Sequence, residues 1–137
     1  MPILYIANRN YSSWSLRPWV LMRERRIAFE EVLVPFGGNA EFRDFRAFSP
    51  SGKVPCLVDD DGTVVWDSLA IVEYLAEASP GIWPAGRAPR AWARSAAAEM
   101  HAGFALRATC TMNCGLRVRL HEVSAPLQAD VERIDRV

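Results

Sequence analysis

An α/β domain followed by the start of an all-α domain is what the sequence predicts. Three observations carry it. Short apolar runs alternate with helical periodicity up to Pro80, two β-rich runs meet at an Asp61-Gly62 turn, and beyond a proline- and glycine-bearing stretch the composition becomes rich in Ala, Arg and Glu. The chain has 137 residues, 50% of them hydrophobic, enough to bury a core. These signals divide it into residues 1–80, a linker over 81–88, and a partial helical domain over 89–137.

Each element has its own signal. Residues 2–7 (PILYIA) form an apolar run suited to a strand buried on both faces. Ser12, Ser13 and Ser15 then offer N-caps for a helix carrying Leu16, Trp19, Val20 and Ile27, with Pro18 expected in the first turn, where its missing N–H costs nothing. Residues 29–34 read as a second strand, broken by Pro35 and the Gly37-Gly38 pair. A short helix follows over 41–48, with Phe42, Phe45 and Phe48 at three-residue steps. Residues 54–59 and 63–66 should pair as an antiparallel hairpin, because Asp-Gly is a strong signal for a tight turn. Ser68 is expected to cap the next helix, with Leu69, Val72, Leu75 and Ala76 on one face. The resulting order, βαβαββα, has a crossover in its first half and a hairpin in its second, which points to a thioredoxin-like sheet.

Past the linker, Trp92, Ala96, Met100 and Phe104 recur every four residues along a helix expected from Ala88 to about Cys110. A helix restarts near Pro126 and is expected to run to the end at Val137. One long helix and a partial second cannot cover their own apolar faces. Either more chain or a second chain is therefore expected to complete the packing.

Composition excludes several function classes. The 16 basic residues, fifteen of them Arg, balance the 16 acidic ones, and the Arg residues are scattered rather than clustered. The electrostatic footprint of a nucleic-acid or membrane-surface binder is missing. No run approaches the roughly 20 apolar residues that span a bilayer, and no secretory signal opens the chain, so a soluble cytoplasmic protein is expected. The three cysteines, Cys56, Cys110 and Cys114, with His101 and His121, have no familiar metal-ligand spacing. They are expected to be reduced, mostly buried thiols, and no metal is expected.

Three motifs stand in a fixed order: Tyr11-Ser12-Ser13-Trp14-Ser15-Leu16-Arg17 after the first strand, Lys53-Val54-Pro55 at the head of the hairpin, and Trp66-Asp67-Ser68 at the next helix start. With them the chain resembles the cytosolic glutathione S-transferases, most closely the serine-type, zeta-like group, whose opening carries a similar Ser-Ser-x-Ser run. The resemblance covers essentially the whole chain. It implies a thioredoxin-like glutathione-binding domain, the start of an all-helical domain, glutathione as co-substrate, an electrophilic small molecule as acceptor, and a homodimer.

The resemblance also assigns roles by position. Ser12 faces the glutathione sulfur and Ser13 is its neighbour. Lys53 meets the glycine carboxylate, the backbone of Val54 before a cis Pro55 pairs with the cysteinyl unit, and Asp67 and Ser68 hold the γ-glutamyl end. The chemistry has a physical basis: a helix N-terminus presents unpaired N–H groups and partial positive charge, which favours a thiolate over a thiol. A hydroxyl donor and the helix dipole together could supply on the order of 1.5–3 kcal/mol, or one to two pKa units.

Without the resemblance, the serines are helix caps, Lys53 is a solvated lysine, and Asp67-Ser68 is a capping pair. Tyr11 and Tyr5 are rival hydroxyls, Tyr5 being better suited to the core. Trp14 stands where zeta members often carry Cys, which tells against the zeta isomerase reaction. Two other classes compete with a transferase: a non-catalytic binding module on the same fold, and a thiol redox enzyme, disfavoured because no Cys opens the first helix.

Overall fold

The structure, a computed structural model, describes residues 1–36, 45–104 and 121–136. It divides into two compact units, Met1–Ile82 and Trp83–Val137.

The first unit is built on a four-stranded sheet. Strand β1 (Ile3–Ile6) leads into helix α1 (Ser13–Glu24), which returns the chain to β2 (Glu30–Leu33). Strands β3 (Cys56–Val58) and β4 (Val64–Trp66) precede helix α2 (Ser68–Ala78). The strand order is β2-β1-β3-β4, with β1 parallel to β2 and antiparallel to β3, and β3 antiparallel to β4. A parallel β1/β2 pair needs a crossover, which α1 supplies. The β3/β4 pair needs only a tight turn, closed by Gly62 at φ +87°. This is the thioredoxin-like arrangement.

Register decides which side chains reach the core. Leu4 lies opposite Leu57, and Leu57 opposite Val65, so these residues share one sheet face. On that face Leu4, Ile6 and Leu57 pack with Met22 of α1 and with Ile71 and Leu75 of α2. The strand β1 is therefore fully buried on one face only. On the other, Tyr5 is half-buried and stacks on Phe48 with ring centroids 4.1 Å apart. Phe45 meets Phe48 edge-on at 6.0 Å and Phe36 at 6.1 Å. Of the helix expected over 41–48, the part carrying Phe42 lies outside the described residues.

Several local expectations are corrected. Pro18 lies in the second turn of α1, not the first, because the helix begins only at Ser13. It is buried, and packing in the core offsets the absent N–H that would otherwise serve the Trp14 carbonyl. The cap of α2 is Asp67 rather than Ser68: its carboxylate reaches two backbone N–H groups, whereas the Ser68 side chain, one residue later, points into the protein. The buried face of α2 is accordingly Ser68, Ile71 and Leu75, one step round from the stripe expected through Leu69, Val72 and Ala76.

The second unit contains helices α3 (Arg87–Gly103) and α4 (Ala125–Ile134). The first ends at Gly103, short of the expected Cys110, because Phe104 turns to extended backbone. The second starts from the Ser124 cap and ends at Ile134, with Asp135 as its C-cap, instead of continuing through Val137. Arg133 ties the helices together: its guanidinium donates to Glu99 Oε1 at 2.7 and 2.9 Å and to the Gly103 carbonyl at 3.1 Å, and it lies 4.5 Å from the Phe104 ring centroid. No residue of α3 is fully buried, and along the apolar stripe read from the sequence Trp92 is 61% exposed while Ala96, Met100 and Phe104 are partly buried. No helix among them is long and apolar enough to cross a membrane.

Candidate functional site

Two helix N-termini in the first unit carry the residues the sequence singles out. The first follows β1. A turn over 8–12 is closed by the Tyr11 and Ser12 N–H groups donating to the Asn8 carbonyl, at 3.1 and 2.8 Å, and delivers Ser12 as the N-cap of α1. Ser12 is 3% exposed, and its Oγ accepts from the Ser15 N–H at 3.3 Å while donating to Ser15 Oγ at 3.0 Å. Ser15 Oγ also accepts from the Ala7 N–H at 3.2 Å. Ser15 is thus a buried peg between the end of β1 and the head of α1. Its role was hidden in the sequence among three equivalent serines.

The consequence is a division of labour between the two candidate hydroxyls. Ser12 acts as the cap and spends its proton on Ser15. Ser13, the first helical residue, is half-buried and makes no side-chain hydrogen bond among the described residues. Tyr11, the rival hydroxyl, is 59% exposed.

The second terminus is that of α2. Asp67 sits at φ +77°, a backbone region sparsely occupied by non-glycine residues, and its Oδ1 accepts from the Leu69 N–H at 2.8 Å and the Ala70 N–H at 3.4 Å. The two donors hold the carboxylate over the helix end. Ser68, the first helical residue, is 2% exposed, and its Oγ has no hydrogen-bond partner among the described residues. Buried hydroxyls are normally bonded, so this oxygen stands at an anion-favouring helix terminus with its capacity unused.

Arg17, in the second turn of α1, belongs to the same region. Its guanidinium lies 4.2 Å from the Trp14 ring centroid. Burial lowers its pKa, and the negative charge of Asp67 opposes that by favouring the charged form. Electrostatics therefore links the first turns of α1 to the head of α2, and the two helices pack on the same sheet face.

The third motif lies before β3. Gly52, at φ +65°, donates its N–H to the Ser49 carbonyl at 2.9 Å and closes the turn leading to Lys53. The Val54–Pro55 peptide is cis, as the family likeness implied. Val54 precedes the ladder, which begins at Cys56, so its backbone is not part of the sheet. Pro55 is buried, and Lys53 is exposed with no ion-pair partner among the described residues.

Cys56 is a poor candidate for thiol chemistry. It is buried and donates to the Phe48 carbonyl at 3.5 Å, and burial pushes its thiol pKa up, only partly opposed by a hydrogen bond to Ser49. Cys110 and Cys114 lie outside the described residues. Among those described, no group of His, Cys, Asp and Glu is arranged to hold a metal ion.

Comparison with known proteins agrees with this geometry. A family model described as "Glutathione S-transferase, N-terminal domain" matches residues 11–78, the segment holding all three motifs. Glutathione S-transferase GstB of Escherichia coli K12 is 33% identical over 114 residues, covering 74% of this chain and 54% of that protein. Maleylacetoacetate isomerase of Mus musculus is 38% identical over 82 residues, covering 58% of this chain and 37% of the isomerase. A glutathione transferase homolog from Burkholderia gl BGR1, solved with bound glutathione, superposes with a TM-score of 0.65 at 28% identity, covering 76% of this chain and 57% of that one. The chain spans about half the length of GstB, less of the isomerase. With three of the four sheet strands and both helix termini inside the matched segment, the chain belongs to the glutathione S-transferase family.

Proposed function

We propose that this chain carries the glutathione site of a glutathione transferase, which activates the tripeptide's thiolate for attack on an electrophilic small molecule. The observation that carries the reading is the buried, unpartnered Ser68 Oγ at the head of α2. There it donates to the γ-glutamyl carboxylate, together with the helix N–H groups, while Asp67 helps hold the amino group. The Val54 backbone, outside the ladder, pairs with the cysteinyl unit, and exposed Lys53 meets the glycine carboxylate.

The sulfur lies at the head of α1. The partial positive charge there favours the thiolate, and a serine hydroxyl donates to it. Ser12 and Ser13 are both assigned to this region. The geometry favours Ser13 as the donor to sulfur, since the Ser12 proton is engaged by Ser15. The thiolate then forms a bond to an electrophilic carbon and displaces a leaving group or adds to a double bond.

In this reading residues 1–80 bind glutathione, 81–88 link, and 89–137 begin the helical domain that contributes the acceptor pocket. The exposed Trp92 on the α3 stripe supports a homodimer or further helices as its cover. A cytoplasmic setting and a detoxifying role rest on the family alone.

The experiment is equilibrium binding of glutathione to the purified chain, with Ser13→Ala, Ser12→Ala and Ser68→Ala compared by ultraviolet absorbance of the bound thiolate. Ser68→Ala should weaken binding, and Ser13→Ala should raise the pKa of the bound sulfur with little loss of affinity. Unchanged binding and unchanged thiolate absorbance in all three would refute the assignment. A zeta-like isomerase is the second reading, motivated by the likeness to the mouse isomerase. Turnover of a cis enediketone without net consumption of glutathione would favour it. Retained affinity with neither activity would favour a non-catalytic binding module.

A further inference from the structure

Glu31 stands where an apolar residue would be expected. Parallel pairing sets it beside Leu4, so its side chain lies on the sheet face that receives α1 and α2, among the buried Leu4, Ile6 and Met22. A carboxylate in that setting loses hydration and needs donors to offset the loss. Glu31 has them. Its Oε1 accepts from Arg9 Nη1, its Oε2 accepts from the Trp19 indole N–H at 2.6 Å, and Arg23 Nη2 lies 3.7 Å from Oε2. Both guanidiniums also lie against the Trp19 ring, Arg9 at 4.4 Å and Arg23 at 5.4 Å from its centroid.

The donors come from different places. Trp19 and Arg23 belong to α1, which already packs on this face, so their contacts serve packing. Arg9 belongs to the turn over 8–12 that delivers Ser12 as cap and Ser13 as first helical residue. That turn is closed on itself by the bonds to the Asn8 carbonyl and by the Asn10 N–H donating to the Asn8 side chain at 2.9 Å. These bonds, with those of Ser15 to Ala7 and Ser12, all lie within residues 7–15, and they set the shape of the turn. Arg9 carries it to a different element, the edge strand β2. A charge-assisted bond between partly buried partners, with the guanidinium laid on an aromatic ring, restrains a long side chain better than an exposed ion pair does.

We propose that Glu31 is a positioning residue: through Arg9 it fastens the turn between β1 and α1 to β2, and so holds the head of α1 in the geometry that stabilises a thiolate. This rests on the glutathione reading above and deepens it. It adds a carboxylate that acts through Arg9 instead of touching the ligand, with Trp19 as the platform on which the Arg9 guanidinium lies.

The test reads the bound sulfur separately from the rest of the tripeptide. Glutathione bound to the full chain is titrated by its thiolate absorbance, and affinity for S-methylglutathione, which has no ionisable thiol, is measured alongside. Glu31→Gln should raise the pKa of the bound sulfur by about half a unit, roughly a threefold fall in thiolate at lower pH, and change S-methylglutathione affinity less than about twofold. Arg9→Gln alters only the exposed turn, so it guards against a folding defect in the strand variant, and it should give the same shift. Arg9→Lys, which keeps the charge, should restore most of it. The double variant should shift no further than either single one, because both remove one contact. Arg23→Gln takes an equal charge from the same carboxylate without touching the turn, and should leave the sulfur unchanged. An unaltered sulfur pKa in Glu31→Gln and Arg9→Gln, additive shifts in the double variant, or an equal shift in Arg23→Gln would each overturn the proposal. So would a matching loss of S-methylglutathione affinity. Any of these results with both probes bound by wild type would refute the role of Glu31 alone, whereas a wild-type chain that binds neither probe would refute the glutathione reading and this inference with it.

Discussion

Replacing Ser68 with Ala should separate stability from binding. The Ser68 hydroxyl is 2% exposed and unpartnered, so the folded protein bears the desolvation of that oxygen without a compensating bond. That cost is about 1–3 kcal/mol for a buried polar group. The substitution removes the oxygen and leaves the cap intact, because Asp67 makes the capping bonds to Leu69 and Ala70. Alanine is also the better helix former. In the absence of glutathione, Ser68→Ala should therefore be as stable as wild type or up to about 2 kcal/mol more stable, which corresponds to a rise of several degrees in Tm for a unit of this size. With glutathione present the order should reverse in ligand response: saturating tripeptide should raise the wild-type Tm clearly and the variant's much less, since linkage stabilisation follows affinity. Thermal melts with and without glutathione read both effects. A variant destabilised by more than about 1 kcal/mol would mean that the hydroxyl has a structural partner, and equal ligand-induced shifts would mean that it does not touch glutathione.

Three further perturbations test the scaffold of the site. Ser15→Ala removes the acceptor of the Ala7 N–H and of the Ser12 hydroxyl, and should cost about 1–3 kcal/mol in urea unfolding; a loss under about 0.5 kcal/mol would show that the peg between β1 and α1 is dispensable. Gly81 sits at φ +86°, and a Cβ there would lie 2.8 Å from Arg25 Nη2, which donates at 2.9 Å to the Pro80 carbonyl, so Gly81→Ala should destabilise by about 1–2 kcal/mol. An unchanged denaturation midpoint would count against the strain at this position. Cys56 should resist alkylation in the folded protein at pH 8 and react on unfolding. Its folded pKa lies above the unfolded one, so its contribution to stability is complete below about pH 8.5 and is lost as pH rises through the folded value. Rapid modification of Cys56 itself in the native protein, located by peptide mapping, would contradict this burial.

The order of elements was readable in the sequence because its causes are local. The run around Leu4 and Ile6, the Asp61-Gly62 turn and the break after Pro80 each act over a few residues, and the observed strands and helices fall where these signals lie. The positions of the three motifs were readable for the same reason. Helix limits fared less well where packing intervenes: Pro18 sits a turn deeper than its chemistry alone favours because the core accepts its ring, and α2 buries Ile71 because Asp67 sets its first turn.

By itself, then, the sequence determined the thioredoxin-like order, the hairpin and the placing of Ser12, Ser13, Lys53, Val54, Pro55, Asp67 and Ser68 at element ends, since turn and cap chemistry are short-ranged. Only the tertiary structure decided what each of these groups is free to do. Ser12 donates its hydroxyl hydrogen bond to Ser15, and Asp67 caps in place of Ser68. Those assignments depend on how α1 and α2 meet over β1, and a hydroxyl or a charge takes its role from partners that lie far from it along the chain.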